Sequence, residues 1–296
     1  MWFSMSKNKF ALHFGVITEN TSINYGEGFG NNSCVKKFTR GDGKEYTYAS
    51  PQKVSRCIMD AANFSNTPVE EVGSGKKVWQ FQRDAYIDKY PEIDFIGYMK
   101  TREKEEAISR KKVLRVNPLI SLEPYMSDID YQTNLSLATR GNGYGNIAQT
   151  EIQYSFFTYT VCVDLDRLGI DKNSDTVIPN QEKIERMEEL LDAIKYLYAD
   201  IKGRRENLSP VFIIGGIYER KNPFFSNRIK FANGRELNIK LLKQTIEDAE
   251  IQEDTLVGYV DTALPNNEEI LKEFNPLTIG KFFNEIKNRV RNVYGE

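Results

Sequence analysis

The chain of 296 residues has few of the side chains that enzymes use most often for metal binding and nucleophilic attack. Histidine occurs once, at His13. This excludes zinc sites built on several histidines and leaves little room for a Ser-His-Asp triad. Because His13 falls in a stretch that alternates like a strand, we interpret it as structural. The glycine-rich GSGKK lacks the spacing of a P-loop, so nucleotide hydrolysis is not indicated.

Cysteine and long apolar segments are also scarce. The three cysteines (Cys34, Cys57 and Cys162) are far apart and form no CxxC pair, which indicates a reducing cytoplasm rather than a disulfide framework. No run of apolar residues is long enough to span a bilayer. The opening MWFSMSKNKF lacks the apolar core of a signal peptide. We therefore expect a cytoplasmic protein that has no membrane partner.

The net charge is close to neutral, but the charges are segregated. The formal charge is −2 and the pI is about 5.8, unlike most nucleic-acid-binding proteins. Residues 220–243 carry seven cations and one acid, whereas residues 247–254 carry five acids and no cation. A positive and a negative face on one molecule are compatible with a groove for a polyanion. They are equally compatible with subunits that stack head to tail.

The strongest local charge lies in a glycine-punctuated loop that runs into a helix. Residues 34–56 hold six cations against Asp42 and Glu45, a local charge of +4. Ser50-Pro51 predicts the start of a helix, since serine caps and proline is favoured at the first helical position. Free N–H groups at a helix N-terminus attract phosphates. From the residues alone, the segment is either a cradle for a phosphate backbone or an ordinary solvated connection with a well-capped helix.

The element pattern predicts an α+β fold. When the insertions are left out, the predicted elements follow the order strand, helix, strand, strand, helix, strand. This is the order of ferredoxin-like and RNA-recognition domains. The predicted elements are strands at 9–17, 93–99, 152–164, 210–218 and 256–260, a strand broken by prolines at 113–125, and helices at 51–63, 76–89, 182–201 and 278–293. Between them, residues 128–150 are polar and contain RGNGYG, which predicts a flexible, protruding hairpin.

Four segments in a characteristic order resemble the DevR family of CRISPR-associated proteins, the backbone subunits of type I (particularly type I-B) Cascade surveillance complexes. The resemblance covers about residues 9–231. The segments are TRGDGKEYTYASPQKVSRCI, VLRVNPLISLEPY, NIAQTEIQYSFFTYTVCVDLDRLG and PVFIIGGIYERKNPFF.

The resemblance implies a modified RNA-recognition (ferredoxin-like) palm that carries a finger insertion and a protruding thumb hairpin within a single elaborated domain, 1–296. Several copies would polymerise along one CRISPR RNA and present it for pairing with target DNA, beside other Cascade subunits. The implied division is palm 9–64 with 93–124 and 151–260, fingers about 65–92, thumb about 125–150, and a C-terminal helical extension 261–296.

Charge and resemblance together give a set of candidate RNA-binding residues and no cofactor, metal site or catalytic residue. These candidates are Lys36, Lys37, Arg40, Lys44, Ser50, Lys53, Arg56, Arg140 and Lys221. Two other functions stay open. Related type III backbone subunits cleave target RNA with an aspartate in the loop before the first helix, where Asp42 lies here. The family also carries an older label of transcriptional autoregulator, which implies DNA binding.

Overall fold

A computed structural model describes residues 10–26, 28, 30–73, 75, 77–101 and 106–295. The strands are β1 (Ala11–Thr21), β2 (Asn32–Ser33), β3 (Lys37–Thr39), β4 (Glu45–Ala49), β5 (Val69–Val72), β6 (Val78–Phe81), β7 (Tyr98–Lys100), β8 (Ile108–Arg110), β9 (Leu114–Val116), β10 (Leu119–Ser121), β11 (Asp128–Thr133), β12 (Ile147–Ile152), β13 (Tyr154–Asp164), β14 (Ile170–Asp171), β15 (Thr176–Val177), β16 (Tyr198–Ile201), β17 (Arg204–Asn207), β18 (Phe212–Tyr218) and β19 (Thr255–Tyr259). The α-helices are α1 (Pro51–Ala61), α2 (Pro91–Ile96), α3 (Leu135–Arg140), α4 (Asn180–Lys195), α5 (Ile239–Ala249), α6 (Asn267–Phe274) and α7 (Ile279–Tyr294).

An antiparallel sheet organises the described residues. Its strands lie in the order β19-β18-β1-β13-β10-β4-β3, and β9 also pairs with β13. The central pair is β1 and β13, which run antiparallel over eleven residues from Ala11 opposite Asp164 to Thr21 opposite Tyr154. On its other side β1 pairs with β18 from Ala11 to Ile17. The predicted α+β class is confirmed, and the central strands of the sheet occur with α1 and α4 in the chain order β1, α1, β10, β13, α4, β18.

Two hydrophobic cores cover the two faces of this sheet. Leu12, Phe14 and Val16 of β1 pack on one face with the apolar sides of α1, α4 and α7. On the other face, a second core forms under residues 223–231, α5 and α6 and covers mainly the β18–β19 side. His13 is buried in that side and stacks on Phe225, and its burial lowers its pKa to about 3. A neutral, packed imidazole fits a structural role.

The helix predicted over 76–89 is wrong. Val69–Val72 and Val78–Phe81 pair as an antiparallel hairpin, with Glu71 opposite Trp79, and turns follow to residue 89. Of the large residues at helical spacing, Trp79 lies in β6, whose aromatic and β-branched residues favour a strand, whereas Arg83 and Tyr86 lie in the irregular segment that follows. Lys76, where the predicted helix began, lies outside the described residues, as does Lys9, the predicted start of β1.

The strand predicted over 93–99 is also wrong. Pro91 occupies the first turn of α2, and Gly97, whose φ is 68°, ends the helix before β7 begins. A Cβ at residue 97 would lie 2.3 Å from the Arg110 carbonyl oxygen, so glycine is required there. The helix predicted over 182–201 ends early as well, because Tyr198–Ile201 leaves α4 to form a hairpin with β17.

No helix in the described part of the chain combines the length and the apolar character that crossing a membrane requires. The longest helices, α4 and α7, have 16 residues each, and each presents polar residues on the face away from the core. Their apolar sides are already occupied in the first core, where they pack against the sheet.

A buried ion cluster joins α2 to the rest of the molecule. Asp94 accepts from Arg110 Nη2 at 2.6 Å and from Arg186 Nη1 at 3.0 Å, and its carboxylate also accepts from the Gly169 N–H. The Asp94 side chain is fully buried, and the two arginine side chains are 4% exposed. Such a cluster holds its elements together only while all charges are matched, because a buried unpaired charge is costly.

We expect Asp94→Ala to lower the free energy of unfolding by about 3–5 kcal/mol, since it leaves the buried Arg110 without its carboxylate and Arg186 with Glu182 alone. Urea titration followed by fluorescence measures this loss. The matched control is Asp200→Ala, which removes an aspartate from an exposed pair with Arg205 and should change stability little. Equal losses in the two variants would contradict the role assigned to the cluster.

Candidate nucleic-acid interface

The tip of the β3–β4 hairpin displays two of the candidate cations. The Arg40 guanidinium lies 4.0 Å above the Tyr46 ring, and Lys44 is exposed. Asp42 shapes the turn between them: its two oxygens accept from the Lys44 backbone N–H at 3.0 Å and from the Tyr46 hydroxyl at 2.8 Å. These two donors hold the pKa of Asp42 below its usual range. The carboxylate is therefore ionised and used in the turn, while the cations point outward.

The start of α1 matches the sequence-based prediction. Ser50 Oγ accepts from the Lys53 backbone N–H at 3.3 Å and from the Asn24 side chain at 3.4 Å, so its hydroxyl serves as the helix cap. The Lys53 side chain forms no ion pair with any described residue. Arg56, one turn later, is shared between Asp60 at 2.9 Å and Glu92 at 3.6 Å. Lys53 thus presents more uncompensated charge at the helix N-terminus than Arg56 does.

Lys36 and Lys37 have different surroundings. Lys37 Nζ lies 3.1 Å from Glu151 Oε2 and 4.3 Å above the Tyr125 ring. Burial disfavours its charged form, but the hydrogen bond and the charge of Glu151 outweigh this and raise the pKa of Lys37. Lys37 therefore connects β3 to β12. Lys36 is half-buried and has no ion pair within the described residues.

The region predicted to protrude is a hairpin of β11 and β12 whose tip carries α3, a helix that the sequence did not predict. Among the described residues, β12 pairs with β11 and, at Gln149 and Thr150, with the short β2. Arg140 ends α3 and is exposed. The tip also exposes large apolar side chains, and each of the four is more than half accessible: Leu135, Leu137, Tyr144 and Ile147. We refer to residues 128–152 as the β11–β12 hairpin.

Lys221 lies elsewhere. It follows Tyr218, which pairs with Ala11 at the start of β1, whereas the loop and α1 lie near Thr21 at the other end. Ten residues of strand separate these ends, roughly 33 Å. Lys221 Nζ also lies 2.6 Å from Asp166 Oδ1. The structure therefore does not bring Lys221 together with the other candidates.

Sequence reasoning missed the β16–β17 hairpin. Lys202 at its tip lies 4.5 Å above the Tyr25 ring and 3.4 Å from Thr150 Oγ1. Arg204 donates to the Tyr25 hydroxyl and pairs with Glu206 at 3.1 Å. Both turn residues, Lys202 and Gly203, have positive φ (48° and 77°), as a two-residue hairpin turn requires. The Lys-Gly pair between two polar, alternating stretches was the available signal; the first of these stretches, Tyr198–Ile201, coincides with the end of the predicted helix.

Three hairpins and one helix N-terminus therefore meet around residues 21–25. Lys37 and Lys202 contact adjacent residues of β12, which are Glu151 and Thr150 respectively. Lys53 lies near the β16–β17 hairpin, where its charge helps to lower the pKa of Asp200. The resulting surface presents ammonium and guanidinium groups held by aromatic rings, hydroxyls and backbone. Such groups bind phosphates irrespective of base sequence.

No group of three or more histidine, cysteine or carboxylate side chains among the described residues is placed to hold a metal ion. Asp42 lies between Gly41 and Gly43, and Glu45 next to it is exposed.

A comparison with protein-family models identifies the family to which this chain belongs. A family model described as "CRISPR-associated negative auto-regulator DevR/Csa2" matches residues 12–235. The chain belongs to this family. The family match includes every strand of the sheet except β19, together with α1, the β11–β12 hairpin and the β16–β17 hairpin, so every element of the basic surface falls within it. No curated protein matches the sequence.

Two solved structures share the fold at low sequence identity. A chain of a "CRISPR RNA-guided surveillance complex, pre-nicking" has a TM-score of 0.58 and 13% identity, covering 95% of this chain and 100% of its own. A chain of another "CRISPR RNA-guided surveillance complex" has a TM-score of 0.53 and 14% identity, with 93% and 99% covered. At this identity the likeness establishes the fold.

We expect Glu151→Gln to loosen the base of the β11–β12 hairpin, because Lys37 loses a charged partner. A hydrogen bond to a charged group contributes about 1.5 kcal/mol or more, so opening at the base should become roughly tenfold more frequent. Hydrogen exchange of Ile147–Ile152 measures it. The control, Asp128→Asn, removes an exposed carboxylate from the same hairpin. If both variants exchange at the wild-type rate, Glu151 does not anchor the hairpin.

Proposed function

We propose that this protein is a non-catalytic RNA-binding scaffold, several copies of which polymerise along a CRISPR RNA. They form the backbone of a Cascade surveillance complex and present the guide for pairing with target DNA. Family membership and the fold shared with chains of RNA-guided surveillance complexes support this proposal. In such a complex base pairing reads the sequence, and the protein needs to hold only the shape and backbone of the guide. Subtype I-B remains a prediction of the sequence resemblance.

The observation that carries the proposal is the basic surface at the end of β1. Lys53 and Lys202 lie near that end, and the β3–β4 hairpin carries Arg40 and Lys44 at its tip, although the protein as a whole has a formal charge of −2. Each cation that neutralises a phosphate releases bound counterions, which supplies sequence-independent affinity. The surface supplies cations that can neutralise the phosphates of an RNA strand. Contacts of this kind do not depend on the base sequence, as a scaffold that must accept any guide requires.

The division into palm, fingers and thumb belongs to the same proposal. The palm consists of 9–64, 93–124 and 151–260, and its strand order β18-β1-β13-β10 supports a ferredoxin-like, RNA-recognition core. The fingers at about 65–92 contain the β5–β6 hairpin. The thumb at about 125–150 contains most of the β11–β12 hairpin, and residues 261–296 form the helical extension.

Self-assembly is supported by the exposed tip of the β11–β12 hairpin. Leu135, Leu137 and Tyr144 are 60%, 66% and 99% exposed within one short segment. Large apolar side chains clustered in solvent mark an interaction surface. We propose that the tip reaches a neighbouring copy bound to the same RNA, with Arg140 beside the strand, and that other Cascade subunits cap the resulting array.

Copurification followed by sequencing of the bound nucleic acid tests this function. We expect a repeat-derived CRISPR RNA and a particle mass that corresponds to several copies per RNA. A preparation that binds RNA as a single copy would contradict the polymerising role. Selective recovery of one DNA operator sequence instead of RNA would favour the autoregulator that the family description mentions.

We expect Lys53→Ala to weaken binding to single-stranded RNA of any sequence and to flatten its salt dependence. The slope of log affinity against log salt should fall by about 0.7, the value for one phosphate contact on a single strand. Fluorescence anisotropy over a range of salt concentrations measures both quantities. Arg56→Ala is the matched comparison, since Arg56 already pairs with Asp60 and Glu92; its effect should be smaller. A slope unchanged by Lys53→Ala would exclude this lysine from the interface.

Target-RNA cleavage at Asp42 is the alternative. A metal-dependent nuclease would need this carboxylate at the metal ion and the scissile phosphate, whereas both of its oxygens accept bonds within the turn. We therefore expect no regularly spaced cuts when the protein, its guide and matched RNA are incubated with magnesium or manganese. Regular cuts that disappear in Asp42→Ala, but persist in Glu45→Ala, would establish the nuclease instead.

A further inference from the structure

A groove of about 530 Å³ crosses the sheet face opposite α1, α4 and α7. Its floor is formed by β10 and β13, through Ile120, Thr158 and Thr160. One wall is the edge hairpin, with Phe38 and Arg40, and the other wall is residues 225–230. The volume lies within the range of small-molecule sites, about 300–1,000 Å³. The basic surface described above does not require this space.

Close packing on one side creates the groove. Residues 225–229 press onto β1 at Gly15, where an added Cβ would lie 2.5 Å from Ile229 Cδ1 and 3.1 Å from Phe225 Cβ. This contact fixes one wall over β1 and leaves β13 and β10 uncovered up to the edge hairpin. The Asn117 side chain donates to Ser226 Oγ at 2.7 Å and braces the two sides. The groove is therefore a built feature of the sheet rather than a gap under a loose loop.

The lining combines the flat, apolar ring of Phe38 with the hydroxyl of Thr160, which has no hydrogen-bond partner among the described residues. Phe38 is half-buried and packs edge-on against Tyr48 at 5.6 Å. Thr160 is 5% exposed, and its hydroxyl has no hydrogen-bond partner among the described residues. Buried hydroxyls are nearly always paired, so an orphaned one that lines a groove indicates a missing partner. A hydroxyl can both donate and accept, as the edge of a nucleobase requires.

Charge at the rims selects the class of ligand. Arg40 lines one wall and Lys230 the other, and the lining contains no carboxylate. Lys230 is exposed and forms no ion pair with a described residue. An anion would pair with the cations at the two rims. A bare phosphate, however, would make no contact that uses Phe38, Ile120 or the Thr160 hydroxyl. A ring system attached to a phosphate uses all of them.

We infer that this groove holds one nucleobase of the RNA strand whose phosphates lie along the β3–β4 hairpin. Arg40 belongs to both surfaces: it lines the groove and begins the hairpin tip with Lys44. A strand can therefore place a phosphate at Arg40 and insert the attached base against Phe38, with its edge at Thr160. The inference rests on the proposed RNA-binding function and adds a site to it. Stacking on an aromatic ring tolerates any base, so the site is compatible with variable guide sequences.

The test uses the full chain and the four nucleoside 5′-monophosphates as probes, with ribose 5-phosphate as the control that lacks a base. Ligand-observed NMR at millimolar concentrations measures binding. We expect each monophosphate to bind, and ribose 5-phosphate to bind at least about fivefold more weakly, which corresponds to the loss of one stacking contact. Equal binding of both probes, or no binding of the monophosphates, overturns the inference.

Substitutions of lining residues test whether the monophosphates bind in this groove. Phe38→Leu and Thr160→Val should weaken monophosphate binding, the former by about fivefold or more, with the fold checked by circular dichroism. Lys230→Gln tests the rim without touching the core, and Lys240→Gln on α5 is its matched control, since Lys240 is exposed and does not line the groove. If Lys230→Gln and Lys240→Gln bind the monophosphates equally well, the site lies elsewhere.

Competition distinguishes a base of a bound strand from a free nucleotide. Saturating single-stranded RNA should displace the monophosphate when the groove receives a base of that strand. Monophosphate binding that persists undiminished under saturating RNA overturns the inference in favour of a free-nucleotide site. RNA binding measured on the same samples keeps the two proposals apart: RNA can bind with its Lys53-dependent salt slope even when no monophosphate binds.

Discussion

The pairing of β1 with β13 is the constraint on which the rest of the structure depends. Eleven residues of each strand are matched, and side chains alternate between two filled cores, so a slip by one residue would exchange the faces. The register brings Thr21 and Tyr154 to the same end of the sheet. From that end the chain continues into the basic loop on one side and comes from the β11–β12 hairpin on the other. The basic surface is therefore a consequence of strand register.

Local charge, and not net charge, explains how an acidic protein can offer a surface to a polyanion. At physiological salt the reach of an exposed charge is about 8 Å, so distant acids compensate little. Two of the cations are held by neutral partners: Arg40 by the Tyr46 ring and Lys202 by the Tyr25 ring and Thr150. Others meet carboxylates, as Lys37 does at Glu151 and Lys221 at Asp166. The first arrangement orients a cation while leaving its charge available.

The sequence predicted the elements whose local signals agree with their environment. The helix α1 begins at Pro51 behind its Ser50 cap, α7 begins behind Thr278, and β13 alternates as expected. The incorrect predictions concern segments whose hydrophobic pattern fits both a helix and a strand. Trp79 fitted a helical stripe but pairs with Glu71 across a hairpin, and the apolar stretch from Ile93 fits a buried helix as well as a strand. Only tertiary packing separates such alternatives.

The sequence by itself determined the family, the α+β class and the capped helix behind a basic loop, and it indicated a hairpin near residues 128–150, because each depends on residues close together in the chain. The tertiary structure decided which cations are available. It paired Lys37 with Glu151, 114 residues away, placed Lys202 against Thr150, and carried Lys221 to the far end of the sheet. It also built the groove between Phe38 and Ile229. These outcomes depend on strand order and register, which bring distant residues together through contacts that no local pattern encodes.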